Sequence, residues 1–95
     1  MKKAITIFYL TDCPYCHYAW RALKELTAEK AAYGEIDVEW IEERTRPDVA
    51  ARYDYYYVPT IFDGNRKLYE AHPSEDYAAC KANVKAALDA VLAKA

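Results

Sequence analysis

The chain has 95 residues, so 1–95 is read as a single domain around one hydrophobic core, with no room for a second. Hydrophobic residues make up 54% and charged residues 29%, and the formal charge of -2 comes from well-mixed Lys, Arg, Asp and Glu, which argues against nucleic acid or an acidic membrane surface as partner. Ten tyrosines stand against two phenylalanines, a balance that supplies apolar area but needs places for hydroxyls, surface grooves among them.

The opening MKKAITIFYLTDC has the outline of a short lipoprotein signal, with two lysines before an apolar run that ends near a cysteine. The run is at the short limit for such a segment, and Asp12 stands before Cys13 where processing wants a small residue. The segment is therefore read as structure. No stretch approaches the length of a membrane span. The expected location is the cytoplasm, where thiols are mostly reduced, and an odd number of cysteines argues against a disulfide-stapled secreted scaffold.

Ala4 to Leu10 is a continuous apolar and β-branched run, the pattern of a central strand covered on both faces. Cys13 then stands at a helix N-cap and Pro14 at the first helical position, where a missing N–H costs nothing. The helix is expected to run to about Ala32, with Gly34 ending it. Ile36, Val38 and Trp40 alternate with Glu35, Asp37 and Glu39 as a half-buried strand, and Pro47 and Asp48 open a short helix through Arg52 or Tyr53. Thr60 to Phe62, the turn Asp63-Gly64-Asn65-Arg66 and Lys67 to Ala71 form an antiparallel hairpin. From Ser74 onward Tyr77, Cys80, Val84, Leu88 and Val91 recur at threes and fours in an alanine-rich final helix. The order β-α-β-α-β-β-α, with the first two strands parallel neighbours, packs most economically as an α/β fold: one four-stranded mixed sheet flanked by three helices.

Cys13-Pro14-Tyr15-Cys16-His17 has three chemical spellings: half a zinc site, a covalent haem attachment, or a redox dithiol at a helix start. Haem lacks its context, since the only methionine is Met1 and the motif joins a strand to a helix. His17 reads as a first-turn helix residue at the rim. Zinc needs four ligands, and beyond the pair the chain offers only Cys80, His17 and His72, with Cys80 on an apolar stripe, so no metal ligands are assigned. An iron-sulfur cluster shared between chains through Cys13 stays open as the alternative reading, a cluster carrier or metal-binding module. For the dithiol, Cys16 falls in a stripe with Trp20, Leu23 and Thr27 expected to face the sheet. Cys13 sits at the helix end, where free N–H groups and the macrodipole stabilise a thiolate. Cys13 would then attack a disulfide and the shielded Cys16 resolve the mixed disulfide. Asp12 beside Cys13 opposes that thiolate, so removing its charge should speed alkylation.

Val58-Pro59-Thr60 supplies the second strong feature, because a proline at the start of an inner strand marks a special turn. Cys13-Pro14-Tyr15-Cys16 after a first strand, with Val58-Pro59-Thr60 about forty residues later before a hairpin, resembles the glutaredoxin branch of the thioredoxin superfamily over essentially the whole chain. The resemblance implies a thioredoxin fold and dithiol-disulfide oxidoreductase activity on protein or glutathione mixed disulfides, with Cys13 and Cys16 catalytic and no tightly bound cofactor. It also implies that Pro59 is cis against the sulfurs, that the Val58 backbone pairs with an extended substrate, and that Tyr15 lines the groove. The chain departs from glutathione-using relatives in two places. Leu10 stands about where they carry a lysine, and Tyr69 to Asp76 lacks their paired glycines, although Ser74 and Asp76 could still contact glutathione at the helix start. Similar proteins with such departures take electrons from thioredoxin reductase, with ribonucleotide reductase a known client. Expected partners are thus protein disulfides and either thioredoxin reductase or glutathione, with the chain a monomer. Tyr53, Tyr55, Tyr56 and Tyr57 either floor a groove, with Tyr57 at the substrate, or simply finish a helix and loop. Arg44, Arg46 and Arg52 either contact a glutathione carboxylate or are solvated charges.

Overall fold

Strand β1 (Ala4–Tyr9) lies inside a four-stranded sheet, between β2 (Asp37–Glu42) and β3 (Thr60–Asp63) with β4 (Arg66–Glu70) beyond β3, seen in a computed structural model that describes residues 3–94. Met1, Lys2 and Ala95 lie outside the described residues, and with them the sole methionine and the outer limits of the 1–95 unit. Alternation along β1 sends Ile5 and Ile7 into the larger core and Phe8 into a smaller one on the opposite face, as its unbroken apolar run requires.

Helix α1 (Pro14–Glu29) starts as expected, with Cys13 extended at the N-cap and Pro14 at the first helical position. Its buried stripe is Cys16, Ala19, Ala22, Leu23 and Leu26 rather than the expected Cys16, Trp20, Leu23 and Thr27. Two alanines at the contact let the helix settle close to its neighbours, and Trp20 turns outward, 53% exposed, with the Lys24 ammonium 4.6 Å from its ring centroid. The helix also ends earlier than Ala32. Lys30 is extended and Ala31–Glu35 forms a 3-10 turn, which carries Tyr33 into the core where its hydroxyl donates to Asp89 at 2.5 Å.

Strand β2 (Asp37–Glu42) runs parallel to β1, from Ala4 opposite Asp37 to Tyr9 opposite Glu42. Val38 and Trp40 lean on the larger core, and Ile41 joins Phe8 across the sheet. Helix α2 is a single turn, Pro47–Ala50, shorter than the expected run to Arg52 or Tyr53. Tyr53 leaves it to pack against Phe8 and Phe62, at centroid distances of 4.7 and 4.8 Å. Strands β3 (Thr60–Asp63) and β4 (Arg66–Glu70) form the hairpin, with Gly64 at φ 61°, a left-handed conformation suited to glycine. Helix α3 (Tyr77–Leu92) begins later than Ser74, because the Asp76 carboxylate caps it by accepting from Ala79 N at 2.8 Å. Helices α1 and α3 cover one face of the sheet, and Val49 and Ala50 of α2 cover the other around Phe8, Ile41 and Phe62. No helix among the described residues is long and apolar enough to cross a membrane.

β1 also pairs antiparallel with β3, Phe8 opposite Thr60. The chain leaving β1 toward Cys13 therefore runs beside the chain entering β3 through Val58 and Pro59.

Candidate thiol site

Cys13 and Cys16 are both free thiols, held in unlike surroundings by the first turn of α1. The Cys13 carbonyl accepts from Cys16 N at 3.1 Å and His17 N at 3.2 Å, and its own N–H donates to Leu10 O at 3.2 Å. The Cys13 side chain is partly exposed, and its Sγ lies 3.7 Å from the Val58 carbonyl oxygen. Cys16 is 4% exposed, with Leu10 N donating to its Sγ at 3.4 Å. Burial pushes the Cys16 thiol far above its ordinary range; the Leu10 N–H opposes this, and the neighbouring Cys13 adds to it. The geometry thus offers one accessible sulfur backed by one that stays protonated until a partner reaches it.

The Val58–Pro59 peptide is cis, Pro59 is fully buried, and its carbonyl accepts from Ala71 N at 3.0 Å. Upstream the tyrosine cluster divides. Tyr55 stacks on Phe8 and Tyr53 packs against it at a tilt, whereas Tyr56 and Tyr57 are 89% and 52% exposed. One oxygen of Glu70 accepts both backbone amides of those exposed residues, Tyr56 N at 2.6 Å and Tyr57 N at 2.7 Å, and Lys67 Nζ donates to the other oxygen at 2.8 Å. Burial favours the neutral acid, but Lys67 and the two amides outweigh it and hold the Glu70 carboxyl at about 2.

On the other side of Cys13, Glu42 at the end of β2 ties down the loop that follows β1. It accepts from Thr11 N at 3.2 Å, Thr11 Oγ1 at 3.0 Å and Arg44 N at 2.6 Å. Against burial, these amides and hydroxyl keep its carboxyl at about 2. The Arg44 guanidinium bridges Glu42 and Asp12, 3.2 Å from each, so the charge opposing a Cys13 thiolate has a counter-charge. Arg44 is thus engaged by two carboxylates, while Arg46 and Arg52 are exposed. His17 is exposed and its Nε2 donates to Thr11 O at 3.0 Å. Neither Glu42 nor Glu70 was singled out by sequence, because an acidic residue in a strand reads as a solvated one.

Tyr15 reaches across to the turn before α3, where its hydroxyl accepts from Ser74 N at 2.8 Å. Ser74 stands at φ 68°, a left-handed conformation that glycine would adopt without a Cβ penalty. Of the two residues expected to contact glutathione, Ser74 therefore has its amide engaged by Tyr15, and Asp76 has its carboxylate engaged as a helix cap. Cys80 is buried against the Tyr69 hydroxyl at 3.5 Å, and burial pushes its thiol up. Among the described residues no three histidine, cysteine, aspartate or glutamate side chains gather to hold a metal ion. A cavity of about 370 Å³ opens beside Cys16, lined by Tyr9, Leu10, Trp20 and Trp40.

A family model described as Glutaredoxin matches residues 5–67. Solved structures share the fold at low identity. The oxidized mitochondrial thioredoxin 3 of Saccharomyces cerevisiae is 20% identical, with a TM-score of 0.59 over 88% of this chain and 77% of that one. A mutant thioredoxin from Halobacterium salinarum is 19% identical, with a TM-score of 0.56 over 92% of this chain and 75% of that one. The germline-specific thioredoxin Deadhead of Drosophila melanogaster is 20% identical, with a TM-score of 0.57 over 88% of this chain and 80% of that one. No curated protein matches the sequence significantly. The sheet order, strand directions and helix placement are those of a thioredoxin fold.

Proposed function

Since the chain belongs to the glutaredoxin family, we propose that it is a dithiol-disulfide oxidoreductase in which Cys13 attacks and Cys16 resolves. The observation that carries this reading is the asymmetry of the pair, an accessible Cys13 sulfur beside the Val58 carbonyl and a buried Cys16 one turn behind. The Cys13 thiolate attacks one sulfur of a substrate disulfide, forming a mixed disulfide and expelling the other sulfur as a thiolate that takes up a proton. Cys16 then gives up its proton and attacks the Cys13 sulfur. This forms the Cys13–Cys16 disulfide and releases the second substrate thiol. Two electrons and two protons from an external reductant restore both thiols.

Protein disulfides are the proposed substrates. An extended segment pairs with the Val58 backbone beside Pro59, between Tyr15 and Tyr57. Glutathione is the weaker proposed reductant, because Leu10 offers no cation and the Ser74 amide and Asp76 carboxylate are engaged within the chain. Thioredoxin reductase is the stronger one. The chain acts in the cytoplasm as a monomer without a tightly bound cofactor. Two coupled assays test this: reduction of insulin disulfides with NADPH and thioredoxin reductase, against NADPH, glutathione and glutathione reductase. The expected result is faster turnover with the first. No reduction in either, or full activity in Cys13→Ser, would overturn the reading.

A further inference from the structure

We propose that Glu70 is a positioning residue that presets the Tyr56–Val58 backbone as the edge on which a polypeptide disulfide docks. This rests on the reading of Val58 as the substrate-pairing residue. The chain between α2 and β3 belongs to no helix or strand at Asp54–Val58, so its amides have no ladder to join. Two consecutive amides instead converge on one Glu70 oxygen, at 2.6 and 2.7 Å, a small nest closed by the chain's own anion. Hairpin register puts Glu70 there, since it pairs with Thr60, directly after Pro59, and Ala71 N holds the Pro59 carbonyl at 3.0 Å. Lys67 fixes the other carboxylate oxygen, and the Glu70 side chain is only 19% exposed.

A loop that merely joined α2 to β3 would not need this. Tyr56 and Tyr57 are exposed, so water could take their amides. The carboxylate fixes in advance the two residues that precede Val58, whose carbonyl faces Cys13 Sγ at 3.7 Å. Their rings are thereby held toward solvent at the place where the residues flanking a substrate cysteine would arrive. A polypeptide gains from a preset edge because ordering is not deferred to binding. A small disulfide with no backbone to pair gains nothing, which makes Glu70 a determinant of substrate class.

Reduced wild-type, Glu70→Gln and Glu70→Ala chains are mixed with excess insulin and, separately, with bis(2-hydroxyethyl) disulfide, and the rate of Cys13–Cys16 disulfide formation, read by acid quench and mass spectrometry, is followed against substrate concentration. Amide hydrogen exchange at Tyr56 and Tyr57 is measured alongside. In Glu70→Ala the half-saturating insulin concentration should rise about tenfold, the factor expected when ordering roughly one residue's backbone is deferred to binding. Glu70→Gln, which keeps an acceptor oxygen but loses the charge, should fall between. Rates with the small disulfide should stay within about twofold of wild type, and both amides should lose protection. An unchanged half-saturation for insulin in both variants, or equal slowing with both disulfides, overturns the proposal while leaving the oxidoreductase reading intact. A wild-type chain that reduces neither disulfide overturns that reading, and the role of Glu70 with it.

Discussion

Replacing Phe8 with alanine should unfasten the segment that carries Tyr55 to Val58. Phe8 is fully buried and touches three rings, Tyr53 at 4.7 Å, Tyr55 at 5.1 Å and Phe62 at 6.0 Å between centroids. Truncating a buried phenylalanine costs about 3–5 kcal/mol, and a site with three aromatic partners belongs at the upper end, about 4–5 kcal/mol. A domain of this length has a total stability of about 5–14 kcal/mol, so the variant would be marginal. Phe8→Leu, which keeps most of the apolar volume, should cost about 1–2 kcal/mol and lower the melting temperature by roughly 5–15 °C. Urea unfolding followed by far-ultraviolet circular dichroism measures the loss, and insulin half-saturation in Phe8→Leu measures the effect on the edge, which should weaken. A loss below about 1 kcal/mol in Phe8→Ala with an unchanged denaturant slope would mean that Tyr53 and Tyr55 do not lean on this ring.

Glu70 gives a pH test with a definite sign. Its folded carboxyl is held at about 2 against an ordinary 4.5, so its contribution is complete above about pH 4.5 and is lost as pH falls through about 2. Glu70→Gln should therefore destabilise the fold by about 1–2 kcal/mol at neutral pH, and the gap to wild type should close in acid; a gap that stays constant with pH would refute the assignment. Asp12 and Arg44 form an exposed pair, 74% and 58% solvent-accessible, whose coupling solvent screening keeps small. Iodoacetamide should modify Cys13 somewhat faster in Asp12→Asn, somewhat slower in Arg44→Gln, and at nearly the wild-type rate in the double variant. The reverse order of the single variants would show that the local charges do not act on Cys13 this way.

The thiol half of the site was legible because its signals are local. An unbroken apolar run, a proline at the first helical position and two cysteines one turn apart are set within a dozen residues, and Val58-Pro59-Thr60 announces its own turn. The helix edges were less legible because side chains far apart in sequence decide them. Tyr33 breaks α1 early to reach Asp89, Tyr53 leaves α2 to reach Phe8, and Ala19 and Ala22 rather than Trp20 set the face of α1. Glu42 and Glu70 were illegible for a sharper reason. Besides local partners at Arg44 and Lys67, Glu42 meets Thr11 and Glu70 meets the Tyr56 and Tyr57 amides through the way the strands are brought together, and the irregularity between Ile61 and Phe62 shifts the hairpin by one residue. Counting back from the Gly64 turn without that bulge would put Pro59, not Thr60, opposite Glu70.

The division of labour between the two sulfurs is the central claim, and one trapping measurement tests it directly. Reduced Cys16→Ser and Cys13→Ser chains are incubated with insulin under non-reducing conditions, and the adducts are mapped by peptide mass spectrometry. Cys16→Ser should accumulate a mixed disulfide on Cys13, because the resolving thiol is gone and Cys80 is buried in the core, and Cys13→Ser should accumulate none because Cys16 and Cys80 are both buried. An adduct on Cys16 in Cys13→Ser, or none on Cys13 in Cys16→Ser, would contradict the account.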